Sequence, residues 1–353
     1  TVDFDPADGW SYNTPAGDDF TGLDPAVITP AGTLLTGEEW GYAAGRLFEM
    51  SNPTTATGKA DADWRWLSNV PSVSHEGIQF DKEGRMYFVD ENNSGSIYRL
   101  TPSEGNDLSS GMVEVLVVDA FNGDASKNYN DAANAGQIRT GSASWVTMVA
   151  ADGAVMTAHD PYDFTNRGGR YSADELNGTP YGRPEDLTVN TLANGNEAVY
   201  WATTSENIVY YVDLGTNMVG EYVNSHVTPD LVVNNPVGQG ASDSDYGLDD
   251  PDNLAADTLG NIFIIEDENP GDIFMAVDAD KDGVAESVSL FASLGKYGSE
   301  PTGFKIDPND PFAWYVNIQH PSAHGNNDAL WVIKHDLSYM CDCQGSRNHG
   351  QYV

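Results

Sequence analysis

A single unit recurs four times along this chain, and it limits the folds that the chain can adopt. Each copy begins with an acidic residue, continues as a short apolar strand, turns at Asp or Asn with Gly or Pro, and enters a second strand. The copies begin at Glu76, Glu185, Asp252 and Glu300, and their second strands are predicted at 85–90, 198–203, 261–266 and 313–318. Repeated β units of this kind are typical of a β-propeller.

The remaining sequence also favours an all-β fold, because its 36 glycines and 18 prolines are spread along the chain between short β-branched and aromatic runs. We predict one β-propeller domain over 1–338, with loop insertions at 121–144 and 160–181, and a C-terminal tail at 339–353. A weaker fifth copy, 145–148 leading into 154–157, lacks the acid. A large β-sandwich is the rival architecture, but it does not explain a carboxylate at the same point of each unit.

The net charge excludes several classes of partner. Asp and Glu number 54 against 16 Lys and Arg, which gives −38, so nucleic acid and anionic membranes are repelled. No apolar run approaches the roughly 18–20 residues that span a bilayer. We therefore predict a small-molecule partner, no nucleic acid, no membrane and a monomeric state.

The two ends of the sequence give two further expectations. The chain starts at Thr1 without a basic and apolar leader, so we expect a mature exported protein, periplasmic or extracellular. Cys341 and Cys343 are spaced too closely for an unstrained bridge and lack the additional ligands of a soft-metal site, which predicts two thiols in a flexible tail.

The repeated acids predict a metal site. The first strand of each propeller blade lines the central channel, so Glu76, Glu185, Asp252 and Glu300 should converge. Carboxylates brought this close together need cations, and oxygen ligands point to Ca²⁺ or Mg²⁺, with ferric iron or Mn²⁺ as alternatives. The simpler interpretation is that each acid caps a turn or stays solvated at a blade rim.

Other acids add to this prediction. Glu38 and Glu39 follow an apolar strand, which places at least one of them on the same ring unless they form a charged turn. The acids and amides at strand ends, among them Glu91, Asp267 and Gln319, form either a second layer around the site or a hydrated rim.

A separate calcium candidate contains Asp278, Asp280, Asp282 and Glu286. The spacing is that of an EF-type loop, but the twelfth position is Ser289 where a bidentate Glu is needed, so the sequence is not an EF-hand. A peripheral structural Ca²⁺ and an unoccupied acidic turn are both compatible with it.

Five short motifs in order resemble the PhoX-type alkaline phosphatases between about Leu34 and Pro321. They are Gly37-Glu38-Glu39, His75-Glu76-Gly77, Arg183-Pro184-Glu185, Pro251-Asp252-Asn253-Leu254, and Glu300-Pro301-Thr302-Gly303 leading to Val316-Asn317-Ile318-Gln319-His320-Pro321. The resemblance implies a six-bladed propeller, export usually by the twin-arginine route, and a central calcium and iron cluster that hydrolyses phosphate monoesters. It also implies that Glu76 and Glu185 bind metal and that Arg183 contacts the phosphate.

One position departs from the family pattern. The family has a cysteine ligand to iron just before the paired glutamates, and this chain has Gly37 there. The loss of the sulfur ligand weakens the case for Fe³⁺ and favours several Ca²⁺ ions or another hard metal.

The predicted mechanism follows from charge. Divalent ions and Arg183 would neutralise the phosphoryl oxygens, and a cluster-bound water or hydroxide would attack phosphorus in line. His320 and His75 are candidates to donate hydrogen bonds to the leaving group or to the ligands, although a lone histidine is commonly just packed. Two alternatives are a calcium-dependent propeller lactonase or esterase, and a non-catalytic calcium-stabilised binding module.

Overall fold

The computed structural model describes residues 22–39, 45–58, 61–226, 248–267, 271–294, 299–307, 309–319 and 328–334. In these ranges nearly all regular structure is β, and each pair of neighbouring strands is antiparallel. The predicted all-β fold is confirmed. No helix among the described residues is long and apolar enough to cross a membrane.

The strands form consecutive meanders. The first sheet contains β1 (Leu23–Ile28), β2 (Leu34–Glu38), β3 (Leu47–Met50) and β4 (Trp64–Trp66). The second meander contains β5 (His75–Phe80), β6 (Met86–Asp90), β7 (Ile97–Pro102) and β8 (Gly111–Val118), followed by β9 (Gly141–Val149). The third contains β10 (Pro184–Thr191), β11 (Glu197–Thr203), β12 (Ile208–Asp213) and β13 (Met218–Asn224).

Two further sheets complete the described part of the chain. One contains β14 (Pro251–Ala256), β15 (Ile262–Glu266), β16 (Asp272–Val277) and β17 (Ser287–Ser293). The other contains β18 (Glu300–Asp307), β19 (Asp310–Gln319) and β20 (Ala329–Lys334). The repeats that begin at Glu76, Glu185, Asp252 and Glu300 therefore each start a meander, as predicted.

The sheets are arranged as propeller blades. The first strands of the meanders are neighbours in chain order, because β1 contacts β5, β5 contacts β10, β10 contacts β14, and β14 contacts β18. Second strands such as β6 and β15 are buried along their whole length, which explains their continuous apolar sequences. Apolar clusters fill the spaces between successive sheets. The described residues form five blades, which begin at β1, β5, β10, β14 and β18. The count of six blades stays a prediction.

The two predicted insertions have different structures. Segment 160–181 contains helix α1 (Gly168–Glu175), whose Arg170 forms a buried bidentate ion pair with Asp90 at the end of β6. Segment 121–144 is a loop up to residue 140, and its last four residues begin β9. The weak fifth copy of the repeat is not a blade, because β9 pairs with β8 on one side and β13 on the other. It joins two meanders into one nine-stranded sheet.

The domain limits stay a prediction, because 335–353 lies outside the described residues. The same holds for the tail with Cys341 and Cys343.

Candidate metal and phosphate site

The innermost strands deliver acids to one place. Glu76, Glu185 and Asp252 are the second residues of β5, β10 and β14, and Glu300 is the first residue of β18. The pairing register of β5, β10 and β14 shifts at each of these acids. Such an irregularity bends a strand and redirects a side chain. We attribute to it the inward direction of the acids.

Three of the predicted ligands form a tight group, here called the axial acid cluster: Glu76, Glu185 and Asp252. One carboxylate oxygen from each lies within 4.8 Å of the others. Glu76 and Glu185 are buried, with 7% and 3% of their surface exposed. The convergence predicted from the repeat is therefore present in these three residues.

The axial acid cluster faces a cavity of about 140 Å³, here called the mouth cavity. Eight carboxylates and one guanidinium line it, together with Thr302 and Gln319. The charged side chains are Asp24, Glu39, Glu76, Glu91, Arg183, Glu185, Asp252, Asp267 and Glu300. Glu300 thus joins the same site as the axial acid cluster.

Burial and mutual repulsion raise the pKa of the three carboxyl groups of the axial acid cluster. Burial, followed by the charge of Glu91, raises the pKa of Glu185 to about 8. Burial is also the first cause for Glu76 and Asp252, whose pKa values lie well above the ordinary range. Groups in this state keep protons unless a cation takes their place. This all-oxygen donor set fits a hard divalent cation.

Arg183 lies at the edge of the axial acid cluster. Its Nε and Nη2 donate to Glu91 Oε1 over 2.9 and 2.8 Å, and Nη2 lies 3.2 Å from Glu185 Oε1. Its backbone has a φ of 52°, a left-handed conformation that is uncommon for arginine. The backbone N–H donates to the carbonyl of Asn92 over 3.0 Å, which holds this conformation.

Glu38 and Glu39 have different environments. Glu39 lines the mouth cavity, and burial together with Glu91 raises its pKa to about 8. The fully buried Glu38 is bound by Arg46, with Nε to Oε2 at 2.7 Å and Nη2 to Oε1 at 2.6 Å. Of the two candidates, Glu39 therefore lies on the predicted ring, and Glu38 takes part in a structural ion pair.

Gly37 has no room for a side chain. A Cβ at this position would lie 2.5 Å from the Cβ and 3.0 Å from the Cγ of buried His75. A cysteine therefore cannot replace Gly37 unless His75 and its surroundings move. His75 stays uncharged at neutral pH, because burial lowers its pKa to about 4.

Sequence reasoning missed Asp24. It is the second residue of β1 and is followed by the same kind of register shift, so it occupies the place that Glu76 has in β5. Burial raises its pKa to about 6. The signal was present, since Asp24-Pro25 starts a strand that turns at Gly32 into β2, as Glu300-Pro301 starts β18.

The remaining predicted residues lie elsewhere. Glu91, Asp267 and Gln319 belong to the mouth cavity, which favours the second-layer interpretation over a hydrated rim. His320 lies outside the described residues. Carboxylate oxygens of Asp278, Asp280, Asp282 and Glu286 lie within 4.8 Å of one another in the turn between β16 and β17, apart from the axial acid cluster.

A larger cavity of about 380 Å³ continues from the mouth cavity between the innermost strands. The two cavities share Asp24, Glu76, Thr302 and Gln319. Side chains of β1, β5, β10, β14 and β18 all line this axial cavity. The acids therefore lie at one end of a central channel.

A family model described as alkaline phosphatase PhoX matches residues 68–322. The chain belongs to the PhoX family. It is therefore a phosphoric ester hydrolase, and the resemblance drawn from its motifs is confirmed. No curated protein matches the sequence.

A solved structure of PhoX supports the propeller fold. The chain is similar to Pseudomonas fluorescens PhoX in complex with vanadate, a transition state analogue, with a TM-score of 0.61 and 15% identity over 91% of this chain and 72% of that one. Virginiamycin B lyase from Staphylococcus aureus gives a TM-score of 0.40 and 10% identity over 88% and 70% of the two chains. At 15% identity the likeness to the Pseudomonas structure concerns the fold alone.

Proposed function

We propose that this PhoX-family chain hydrolyses phosphate monoesters in the mouth cavity with the help of bound divalent cations. The observation that carries the proposal is the joint presence, in one cavity, of the axial acid cluster and a single guanidinium, that of Arg183. Among the described residues that line the mouth cavity, eight side chains are carboxylates and Arg183 is the one cation. A phosphate group needs the positive charge that cations bound there would provide.

Each part of the cavity has a separate task in this proposal. Glu76, Glu185 and Asp252 hold the cations, with Asp24, Glu39 and Glu300 as further oxygen ligands. Such cations supply positive charge to the phosphoryl oxygens and promote deprotonation of the attacking water. Arg183 keeps its charge at every working pH and binds phosphate oxygens through its guanidinium.

We propose calcium, and no iron–thiolate bond at position 37. The donors around the mouth cavity are oxygens, which suits a hard cation. The close contact between Gly37 and His75 leaves no room for a side chain at the position of the family cysteine unless His75 moves. Export to the periplasm or the extracellular space is part of the same proposal, because the strongly acidic composition suits a salty or calcium-rich environment.

The test is the variant Arg183→Ala, assayed with a chromogenic phosphate monoester and with inorganic phosphate as competitor. We expect full metal content, and an inhibition constant for phosphate raised at least tenfold, because a bidentate charge-assisted contact is lost. Arg65→Ala is the matched control, because Arg65 is half exposed and pairs with Glu49 and Asp107 outside the site. Unchanged phosphate inhibition in Arg183→Ala would refute the proposed role.

The two alternatives, a calcium-dependent lactonase or esterase and a non-catalytic binding module, have no support, because the PhoX family model identifies the chain as a phosphoric ester hydrolase.

A further inference from the structure

Glu91 is the nearest partner of Arg183, and the proposed function gives it no role. It follows β6 and is bound at its backbone, where its N–H donates to the carbonyl of Ser74 over 2.9 Å. Only 12% of its side chain is exposed, against 37% for Arg183. A carboxylate on a fixed backbone therefore meets a guanidinium that is open to the mouth cavity.

Arg183 has two acidic neighbours in hydrogen-bonding range. Both of its contacts with Glu91 end on the same oxygen, Oε1, at 2.9 and 2.8 Å. The contact with Glu185 is longer, at 3.2 Å, and Glu185 Oε1 also accepts a hydrogen bond from Thr204 over 2.7 Å. Glu91 thus makes the two shorter contacts with the guanidinium, and Glu185, a member of the axial acid cluster, makes the longer one.

We propose that Glu91 is a positioning residue that holds the Arg183 guanidinium toward the phosphate and away from Glu185. The inference rests on the proposed function, because it needs Arg183 to bind phosphate. Without Glu91, the flexible arginine side chain has Glu185 as its remaining strong partner. Arg183 must then leave Glu185 before it can bind phosphate, which weakens phosphate binding.

If only charge is considered, removal of Glu91 should strengthen phosphate binding, which is the opposite of the proposed effect. Glu91 is one of eight carboxylates around the mouth cavity, so its removal lowers the repulsion that an anion meets there. If Glu91 acted only through its charge, phosphate would bind more tightly without it. Asp267 offers the matched control, because it lines the same cavity and acts on Arg183 through its charge.

The experiment is a double-mutant cycle with Glu91→Ala and Arg183→Ala in the full metal-loaded chain. The measurement is the inhibition constant of inorganic phosphate, together with metal content from elemental analysis. With Arg183 present, Glu91→Ala should weaken phosphate about tenfold, the cost of one misplaced charged hydrogen bond. In the Arg183→Ala background the same change should leave phosphate binding unchanged or slightly tighter.

Controls separate positioning from other effects. Asp267→Ala should change phosphate binding slightly, in the tighter direction, and equally in both backgrounds. Glu91→Gln should restore part of the loss, because its amide oxygen still accepts from Arg183. It also takes the place of Glu91→Ala in the cycle if that variant does not fold.

Equal weakening by Glu91→Ala in both backgrounds would overturn the inference, and so would tighter binding with Arg183 present. Loss of bound metal in Glu91→Ala would also overturn it, because Glu91 would then be a ligand. If Arg183→Ala itself leaves phosphate binding unchanged, the proposed function of Arg183 fails. If only the Glu91 effect is missing, the proposed function stands and the positioning role is wrong.

Discussion

Two chemically identical substitutions should change stability in opposite directions. Glu38→Gln removes one charge from the buried ion pair with Arg46, whereas Glu185→Gln removes one charge from the axial acid cluster. Both glutamates are buried. The difference between them lies in their neighbours, since Glu38 faces a cation and Glu185 faces mainly anions.

The magnitudes follow from these environments. Breaking a buried ion pair costs about 3–5 kcal/mol, because the remaining charge is left uncompensated. Unfolding entropies of about 2.1 cal/mol/K per residue, over 353 residues, convert this into a melting temperature lower by about 4–7 °C for Glu38→Gln. This loss should be the same with calcium and with a chelator.

Glu185→Gln should raise the stability of the protein when a chelator has removed the metal. The pKa of Glu185 rises from 4.5 to about 8 on folding, so ionisation of the folded protein costs on the order of 5 kcal/mol. The protonated state stabilises the fold below pH 4.5, and that stability is lost as the pH rises through about 8. At pH 8–9 we expect the variant to melt about 2–5 °C above the wild type, a part of the full effect because a buried amide also has a cost.

The assay is differential scanning fluorimetry of both variants and the wild type, with chelator and with calcium, between pH 5 and 9. The advantage of Glu185→Gln should grow with pH in chelator, and it should vanish or reverse in calcium. A destabilised Glu185→Gln in chelator at pH 9 would show that the axial acids do not repel one another. An unchanged Glu38→Gln would show that the Arg46 pair contributes little.

Three further outcomes test the site. Glu76→Gln should lower both the metal content, measured by elemental analysis, and the turnover of phosphate monoesters, and unchanged metal content would refute the ring assignment. Gly37→Cys should cost about 1–3 kcal/mol of stability through overpacking against His75 and should not introduce iron; a stable variant with bound iron would contradict the steric argument. Asp280→Asn should weaken a peripheral calcium site, measured by titration calorimetry, and should leave turnover unchanged; loss of turnover would contradict the predicted independence of the two sites.

The repeat made the axial acid cluster predictable. Glu76, Glu185 and Asp252 occupy equivalent positions in similar units, and the topology of a propeller turns that equivalence into proximity. The same argument applies to Asp24. Asp24 was missed because the sequence of its strand, Leu23–Ile28, shows a weaker β pattern than the first strands of the other repeats.

Other features depend on contacts that form only when strands pair or when separate segments meet. The choice between Glu38 and Glu39 is made by Arg46, which directly precedes the neighbouring strand β3 and reaches Glu38 only once β2 and β3 have paired. The pairing of Glu91 with Arg183 joins residues 92 positions apart and has no counterpart in the repeat. β9 links two meanders because it pairs with the outer strands β8 and β13. The sequence of β9 itself does not indicate which strands it will pair with.

The link that β9 makes between two meanders has a consequence for the axial acid cluster. The continuous sheet has β5 at one end and β10 at the other, and these two ends contact each other. Glu76 and Glu185 therefore stand on opposite ends of one hydrogen-bonded band that curls back on itself. The distance between these two proposed ligands is therefore fixed in part by the outer strands, which connect the two blades through β9.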